Sequence, residues 1–412
     1  MRILFLSDDF PPQSFGGAGI STYELALGMK KAGQEVFVIT TCRKKEEAGE
    51  YEYNGLRIFK IASDYSSKWR WYVSLYNIPV VHQVELLMKK IQPDVVHVNN
   101  VHLYLSYHSI KVAKRIAKAV VWTARDVMAF NFAKLQTKRY LDHFDYRTNW
   151  RDHLHQAKKR WNPFRNFFIK IYLGYADKLY AVSNALAKAL AQNGIKGAEV
   201  MHTGIDLDLW QADEALTIKF REKYNLTNKK VILFGGRLSE AKGGKETLEA
   251  MAKIVKSIPD AILLVVSKVD GYADHMKEKA GKLGIGDNLV FTGWIERDEI
   301  KYTYACADVV LVPSICFDAF PRIVLEAMAA GRPVIGTCYG GAQEIIVDGV
   351  TGYVVNPLNF KEMAEKILVI LGDRHKKESF GKAGYERVKS NFNSDKKVKS
   401  ILTCYHDLIV LN

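Results

Sequence analysis

Strands that are apolar at every position, each followed by a turn and a helical segment, limit the fold of this chain more than any other feature. The first unit of this kind has a strand at residues 2–7, a Pro/Gly loop at 8–19, a helix at 20–32 closed by Gly33, and a second strand at 35–40. Strands without polar alternation are typical of parallel sheets that are covered on both faces. The sequence therefore predicts an α/β fold built from βαβ units.

The same pattern begins again near residue 230, which indicates a second α/β domain of similar size. The remaining strands are expected at residues 95–98, 120–123 and 178–182, and then at 231–234, 261–266, 289–291, 309–312, 333–336 and 352–355. We place the join near residues 202–206, where a strand ends in glycine ahead of a polar stretch. Two open sheets that face each other would hold a ligand between the carboxyl ends of their strands.

Charge is unevenly distributed along the chain. The 59 Lys and Arg outnumber the 45 Asp and Glu, and this net charge of +14 favours partners with phosphates or an anionic membrane surface. Residues 134–172 hold ten of the cations, three acids and nine aromatic residues. Interleaved cations and aromatic rings suit an anionic bilayer. The alternative is a helical pair whose rings pack inward while its charges are solvated, and we expect no nucleic acid partner.

The cysteines and the apolar runs bear on the compartment. Five cysteines without a CxxC pair predict neither a disulfide framework nor a zinc site. The apolar run at residues 2–7 is too short for a signal peptide, and no stretch approaches the length of a membrane-spanning helix. We therefore expect a protein of the reducing cytoplasm, peripheral on the inner face of the cell membrane if the basic segment binds lipid.

Two glycine-rich turns are candidate anion sites. Gly16 and Gly17 open the first helix, where backbone N–H groups can hold an anion, although a tight turn alone would also need them. The missing GxGxxG spacing and the absence of an acid after the second strand argue against nicotinamide binding. In the second domain, Arg237 and Lys242 stand on a turn between strand and helix. They can converge on a pyrophosphate, or they can form a solvated surface pair.

The densest constellation of polar groups surrounds Asp318 and Glu326. Seven residues separate the two acids, so Asp318 lies in the loop after a strand and Glu326 in the first turns of the next helix. Carboxylates in these places can accept hydrogen bonds from sugar hydroxyls, and the N–H groups of the helix start can hold a phosphate between them. Helix capping is the structural alternative.

Residues 313–328 resemble the signature of the retaining, GT-B-fold glycosyltransferases of family 4 (glycosyl transferases group 1), in which seven residues separate two Glu. Further similar motifs follow one another along nearly the whole chain: Gly16-Gly17, residues 94–99, 181–183 and 203–206, Gly236-Arg237 with Lys242-Gly243, residues 331–335, Gly340-Gly341 with Glu344, Asp348-Gly349 and Thr351-Gly352. The resemblance implies two Rossmann-like domains that face each other across a deep cleft. An acceptor-side domain at 1–203 would carry the insertion 134–172, a donor-side domain would follow at 204–394, and a final helix at 395–412 would cross back.

The resemblance also implies roles for individual residues. The donor diphosphate would be bound by Gly16, Gly17, Arg237, Lys242, Arg322, Ile323 and Val324, the ribose by Glu326, and the donor sugar by Asp318, Ala319, Phe320 and Pro321. His97 and Asn100 would lie on the acceptor side, and Arg125 and Asp318 are the catalytic candidates. Family members transfer sugar with retention, and the leaving diphosphate takes the acceptor proton. No cofactor and no required metal are expected.

Two positions depart from the family pattern. Asp318 stands where the family has the longer Glu, and Arg125 stands where many relatives have His. Arginine cannot act as a neutral imidazole, although it can pair with a sugar oxygen or a phosphate. A catalytically inactive nucleotide-sugar-binding scaffold and a GT-B nucleotide-sugar epimerase therefore stay open. The main expectation is a transferase that uses a UDP- or GDP-sugar and a saccharide or lipid-linked acceptor, in the biosynthesis of cell-surface polysaccharide or glycolipid.

Overall fold

The computed structural model of the chain describes residues 1–13, 16–157, 160–236, 238–267 and 271–411. The strands are β1 (Arg2–Leu6), β2 (Glu35–Cys42), β3 (Gly49–Tyr53), β4 (Leu56–Ala62), β5 (Val95–Val98), β6 (Ala119–Ala124), β7 (Lys178–Ala181), β8 (Glu199–Val200), β9 (Lys230–Phe234), β10 (Ala261–Val265), β11 (Leu289–Phe291), β12 (Val309–Val312), β13 (Val334–Thr337) and β14 (Gly352–Val355).

The helices are α1 (Gly17–Lys31), α2 (Arg70–Val73), α3 (Ile78–Ile91), α4 (His108–Ile116), α5 (Lys138–His143), α6 (Trp150–Ala157), α7 (Arg165–Leu173), α8 (Asn184–Gln192), α9 (Glu214–Lys223), α10 (Gly244–Ser257), α11 (Gly271–Lys282), α12 (Ile300–Ala305), α13 (Arg322–Ala329), α14 (Ala342–Ile345), α15 (Phe360–Gly372), α16 (Arg374–Asn391) and α17 (Ser394–Leu411). Single turns of 3-10 helix include Ser67–Trp69 and Asp208–Trp210. No described helix is both long enough and apolar enough to cross a bilayer.

Contacts within the chain divide it into two compact units. The first contains Met1–Tyr140, Asp145–Gly204 and Ser394–Asn412, and the second contains Leu141–Phe144 and Ile205–Asn393. The short piece Leu141–Phe144 differs from the sequence-based expectation, which placed it in the insertion of the first domain.

The first unit is built on an eight-stranded sheet in the order β3-β4-β2-β1-β5-β6-β7-β8, in which β3 runs antiparallel to β4. Leu4 of β1 lies opposite Phe37 of β2 and Val96 of β5. Helix α17 joins the same hydrophobic core through residues such as Val398. It approaches α1 closely at Gly28, where a Cβ atom would lie 2.5 Å from the Val398 side chain.

Two local features of this unit differ from the sequence-based expectation. Helix α1 begins at Gly17 and not at residue 20, because the glycine cluster forms the helix start and not the end of the loop. The antiparallel hairpin β3–β4 was not predicted. Its turn is Asn54-Gly55, and both residues have positive φ, at 50° and 75°. This is the backbone shape that tight two-residue hairpins require.

The second unit contains a six-stranded parallel sheet in the order β11-β10-β9-β12-β13-β14. Leu233 of β9 lies opposite Leu264 of β10 and Val310 of β12. Apolar side chains of the sheet pack against helices α10 and α15 in one continuous core. Because β9, β12 and β13 are parallel neighbours, the loops that follow them emerge at the same edge of the sheet.

Candidate functional site

The loops after β9 and β12 and the end of β13 in the second unit are connected by backbone contacts and one side-chain hydrogen bond. The amide of Ile315 donates to the carbonyl of Ala241 at 3.0 Å. Gly243 has a φ of 76°, and a Cβ atom there would collide with the carbonyl oxygen of Pro313. The hydroxyl of Thr337 donates to the carbonyl of Ser314 at 2.6 Å. These contacts place the side chains of the three segments in fixed positions at the strand ends.

Lys242 and Asp318 form an ion pair between two of these loops. The ammonium group lies 2.6 Å from Oδ2 of Asp318, and the hydroxyl of Ser314 lies 3.4 Å from the same oxygen. Burial works against the charge on Lys242, but the carboxylate of Asp318 outweighs it and raises the pKa of Lys242 above its ordinary value. The lysine is therefore a fully charged, half-buried cation. Its ammonium has three N–H donors, so an anion can be bound beside Asp318.

Glu326 is held from both sides in the buried start of α13. Oε1 accepts a hydrogen bond of 2.8 Å from Nε of Arg322, and Oε2 accepts one of 2.6 Å from the hydroxyl of Tyr304. Trp210 packs edge-on against the Tyr304 ring, at 5.2 Å between centroids. Burial, together with the charge of Glu326, raises the pKa of Tyr304 well above its ordinary value, so this hydroxyl stays a donor.

This arrangement leaves Glu326 able to bind hydroxyl groups of a ligand. A carboxylate offers about four lone-pair sites, and Arg322 and Tyr304 occupy two of them. Because both oxygens are already oriented, the acid would lose little side-chain freedom when a diol binds. The arrangement can therefore recognise vicinal hydroxyls with a fixed carboxylate.

Other predicted donor-site residues form the frame of this region. Ile323 packs against the turn at Gly235 and Gly236, where a Cβ on Gly235 would lie 2.8 Å from its side chain. The amide of Val324 already donates to the carbonyl of Pro321 at 3.0 Å. Ala319, Phe320 and Pro321 are buried as whole residues. Arg237 lies outside the described residues.

In the first unit, Gly16 precedes α1 as its N-cap residue and Gly17 is the first helical residue. The carbonyl of Gly16 accepts a hydrogen bond from the amide of Ile20 at 3.0 Å. A Cβ on Gly17 would meet no atom within 4 Å, so the space beside this residue is open.

Arg125 lies at the carboxyl end of β6 in a polar cluster of the first unit. Its Nε donates to Oδ1 of Asn99 at 2.9 Å, and one of its terminal nitrogens lies 3.4 Å from the hydroxyl of Thr203. With His97 and Thr123 it lines a small cavity between α1, α17 and the strand ends. The guanidinium is therefore oriented by its neighbours and half-exposed to this cavity.

His97 is buried beneath Arg125, and both of its ring nitrogens are bonded within the unit. Nδ1 lies 2.5 Å from the hydroxyl of Tyr405 on α17, and Nε2 lies 2.7 Å from the hydroxyl of Thr123. Burial, and then the charge of Arg125, lowers the pKa of His97 to about 3, so its imidazole is neutral. Contact between His97 and an acceptor would require one of these bonds to break. The carbonyl of Asn100 accepts a hydrogen bond from the amide of Asp8 at 2.6 Å.

Sequence reasoning missed several partners of the predicted residues. Tyr304 and Trp210 come from distant segments and belong to no recognised motif. Tyr405 reaches His97 from the last helix, 308 positions away. Asn99 and Thr203 lie inside motifs that we quoted, but no sequence pattern links either of them to Arg125.

Two family models match the chain. The model of glycosyl transferases group 1 matches residues 217–387, and that of glycosyltransferase family 4 matches residues 15–209. Spore coat protein SA of Bacillus subtilis is 27% identical over 50% of this chain and 58% of its own length. An uncharacterized glycosyltransferase of Methanocaldococcus jannaschii is 24% identical over 98% of both chains. A GDP-mannose-dependent alpha-(1-6)-phosphatidylinositol monomannoside mannosyltransferase of Mycobacterium tuberculosis is 29% identical over 48% of this chain and 52% of its own.

Solved structures share the fold over the whole chain. Sucrose-phosphate synthase from Thermosynechococcus elongatus superposes with a TM-score of 0.79 at 21% identity and covers 100% of both chains. HepE of Anabaena, in complex with UDP and glucose, superposes with a TM-score of 0.71 at 20% identity and covers 99% of this chain and 100% of its own. The two family models together match residues 15–209 and 217–387, and the sheets of the two units are those of GT-B proteins. The chain therefore belongs to the family 4 (group 1) glycosyltransferases and has the GT-B fold.

Proposed function

We propose that this glycosyltransferase moves a sugar from a nucleoside-diphosphate sugar to a saccharide or lipid-linked acceptor, with retention at the anomeric carbon. The observation that carries the proposal is the pair of carboxylates in the second unit. Glu326 is fixed by Arg322 and Tyr304, and Asp318 is paired with Lys242 on loops at the strand ends. The first group, around Glu326, suits a diol. The second, Asp318 with Lys242, suits a diphosphate beside a sugar.

Donor binding would use these two groups in different ways. Glu326 would accept hydrogen bonds from the ribose hydroxyls. Lys242 would turn part of its ammonium from Asp318 towards the diphosphate, and Arg237 would join it there by family resemblance. The nucleotide would be UDP or GDP, because one structural neighbour is in complex with UDP and one relative is GDP-mannose-dependent.

The transfer step would break the bond between the anomeric carbon and the diphosphate oxygen and form one from the acceptor oxygen to that carbon on the same face. The acceptor proton would pass to the leaving diphosphate. Stabilising the negative charge of the leaving group is then the main task of the protein. Lys242 is placed for this task, and Asp318, once the diphosphate has drawn the lysine away, would be left with acceptor oxygens for a hydroxyl of the donor sugar.

On the acceptor side, the proposal assigns Arg125 to a sugar oxygen or phosphate. His97 lines the same cavity, and Asn100 follows Asn99, which bonds Arg125. The acceptor would belong to cell-surface polysaccharide or glycolipid biosynthesis, and the enzyme would work as a peripheral protein on the inner face of the cell membrane. The support is the run of cations and aromatic side chains at residues 134–172, which suits an acceptor carried on lipid.

A thermal-shift panel of UDP, GDP and ADP with their sugars identifies the donor, and hydrolysis of that donor tests for turnover. We expect stabilisation by one nucleotide series and slow release of its sugar. Binding without turnover would indicate a scaffold, and formation of a stereoisomer of the sugar would indicate an epimerase.

No metal is part of the proposal, so activity should survive treatment with EDTA. Loss of activity that Mg²⁺ or Mn²⁺ restores would contradict this point.

A further inference from the structure

Helix α7 presents an apolar stripe to solvent. Phe164, just before the helix, and Phe167, Phe168 and Ile171 within it are spaced i, i+3, i+4 and i+7, so they lie on one face. All four are exposed, with 65% and 61% of Phe164 and Phe167 accessible. A surface helix ordinarily turns such a stripe towards the core. Here the core is contacted by other residues of α7, such as Ile169, and the stripe lies outside.

A second segment extends this apolar surface. Trp69, just before α2, and Tyr72 within it are also exposed, and the centroids of their rings lie 6.1 Å apart. The segment adjoins the residues before α7, because the hydroxyl of Tyr72 lies 3.4 Å from the carbonyl of Trp161. We call Trp69, Tyr72, Phe164, Phe167, Phe168 and Ile171 together the aromatic surface.

The aromatic surface rests on a firmly bonded layer. Arg165 is buried, and it donates to the carbonyl of Met128 at 2.7 Å while its guanidinium lies 4.3 Å from the centre of the Phe132 ring. The amide group of Asn166 donates to the carbonyl of Phe130 at 2.7 Å. The exposed rings therefore stand on a fixed helix and do not belong to a loosely packed loop.

The two stretches of chain that carry the aromatic surface hold charges of one sign. Residues 65–84 and 153–176 contain no Asp or Glu. Lys68, Arg160 and Lys170 are exposed within these two stretches. Lys158 and Lys159, which we expected to contribute, lie outside the described residues. Exposed rings beside cations and without carboxylates match the headgroup region of an anionic bilayer, where amphipathic rings reach the acyl boundary and cations meet lipid phosphates.

We propose that the aromatic surface binds the surface of an anionic lipid bilayer. This proposal rests on the proposed function, in which the acceptor is located at a membrane. It adds the residues that would contact the lipid. A second copy of the chain fits less well. In a two-fold symmetric pair the same cations would face each other across the interface without acids to pair with them.

The test is a vesicle sedimentation assay with Phe167→Ser/Phe168→Ser. The wild-type chain should bind vesicles of phosphatidylcholine mixed with phosphatidylglycerol, and it should bind pure phosphatidylcholine poorly. The double variant should bind at least about tenfold more weakly, because binding scales with the apolar area inserted. The matched control is Leu216→Ser/Ile218→Ser, which removes two exposed apolar side chains of α9 and should bind as the wild type does.

A charge variant tests the second half of the proposal. Lys68→Gln/Lys170→Gln should lose about fivefold in binding for each cation removed, and the wild type should lose affinity as salt is raised. Wild-type binding by Phe167→Ser/Phe168→Ser or by Lys68→Gln/Lys170→Gln, or binding that ignores lipid charge, would overturn the proposal. So would light scattering that shows Phe167→Ser/Phe168→Ser converting a dimer to a monomer, since the surface would then contact a second copy.

Donor binding separates this proposal from the proposed function. Phe167, Phe168, Lys68 and Lys170 lie in the first unit and take no part in the donor site. Phe167→Ser/Phe168→Ser and Lys68→Gln/Lys170→Gln should therefore keep the wild-type thermal shift with the donor nucleotide. A chain that binds vesicles but no nucleotide sugar would support the aromatic surface and contradict the transferase. A chain that binds and turns over the donor without binding vesicles would support the transferase and contradict the role of the aromatic surface.

Discussion

The hydroxyl of Tyr304 donates a hydrogen bond of 2.6 Å to Glu326, although the two residues lie on different helices. Helix α12 carries Tyr304 and α13 carries Glu326, with strand β12 between them in the chain. Arg322 holds the other carboxylate oxygen. The acid that we assign to the ribose is therefore oriented by one neighbour in its own helix and one from the preceding helix.

Tyr304→Phe should weaken donor binding and leave the rate at saturation nearly unchanged. Loss of one hydrogen bond to a buried carboxylate costs about 1 to 2 kcal/mol, which corresponds to a five- to thirtyfold higher KM. Calorimetric titration with the nucleoside diphosphate and its 2′-deoxy form provides the readout. The ribonucleotide should lose more affinity than the deoxynucleotide. Tyr302→Phe, on the same helix, is the control, and equal losses for both nucleotides would show that Glu326 does not bind the ribose.

Lys242→Met should weaken binding of the nucleoside diphosphate by about 1.5 to 3 kcal/mol, because a half-buried charge-assisted contact to phosphate is lost. Transfer should slow as well, since the leaving group loses a counter-charge. Part of the loss arises because Asp318 then repels the phosphates, so Lys242→Met/Asp318→Asn should bind better than the single variant. Lys245→Met, an exposed lysine three positions later, should behave as the wild type. Wild-type affinity in Lys242→Met would remove this residue from the site.

Asp318→Glu restores the family pattern, and we expect it to lower the rate or to shift donor choice. The added methylene would move the carboxylate by about 1.5 Å, away from the place where Lys242 and Ser314 now hold it. The measurement is the relative rate with a panel of nucleotide sugars that share one base. A donor profile and rate equal to those of the wild type would show that residue 318 does not touch the sugar.

Gly340→Ala should destabilise the second unit and disturb the donor site. Gly340 has a φ of 90°, and a Cβ atom there would collide with the carbonyl oxygen of Asp318. We expect a loss of more than about 2 kcal/mol in the free energy of unfolding, since a backbone clash adds to the strain of positive φ. Gly349→Ala measures the strain of positive φ without a clash, because Gly349 has a φ of 73° and a Cβ there would have open space around it. Equal losses in urea denaturation would show that the Asp318 loop moves freely aside.

His97 should make the stability of the first unit depend on pH. Burial lowers the pKa of His97 to about 3 in the folded chain, from 6.5. Below about pH 6.5 the unfolded chain therefore binds a proton at His97 that the folded chain does not bind. The contribution of His97 to the stability of the folded chain is complete above that pH and falls as the pH is lowered towards 3. The slope from this group is at most about 1.4 kcal/mol per pH unit. In His97→Gln the unfolding free energy should fall less steeply between pH 6.5 and 4, and parallel curves would contradict a neutral His97.

Much of the fold could be predicted because its strands are apolar throughout. The predicted strands at residues 95–98 and 309–312 are confirmed without any shift, and the parallel pairing follows from their lack of alternation. The hairpin β3–β4 was missed because β3 is a polar edge strand and because Arg57 and Lys60 interrupt the apolar residues of β4. The Asn54-Gly55 turn was the available signal.

The candidate site could be predicted only where its residues are close in sequence. Asp318 and Glu326 share one loop and helix, so spacing alone relates them. The partner of Glu326 at Tyr304 and the partner of His97 at Tyr405 depend on how helices pack, and packing partners far apart in the chain leave no local pattern. Their hydroxyls were therefore found only in the folded chain.

Because of helix α17, the cores of the two units can be completed at different times during synthesis. Val398, Ile401 and Tyr405 fill part of the core of the first unit, yet the ribosome reaches them only after the whole of residues 205–393. The second unit can close its core as soon as that stretch has emerged, whereas the first unit, although most of it is made earlier, must wait with a gap beside α1 until the last helix is released. The unit that is begun first is therefore the one that is finished last.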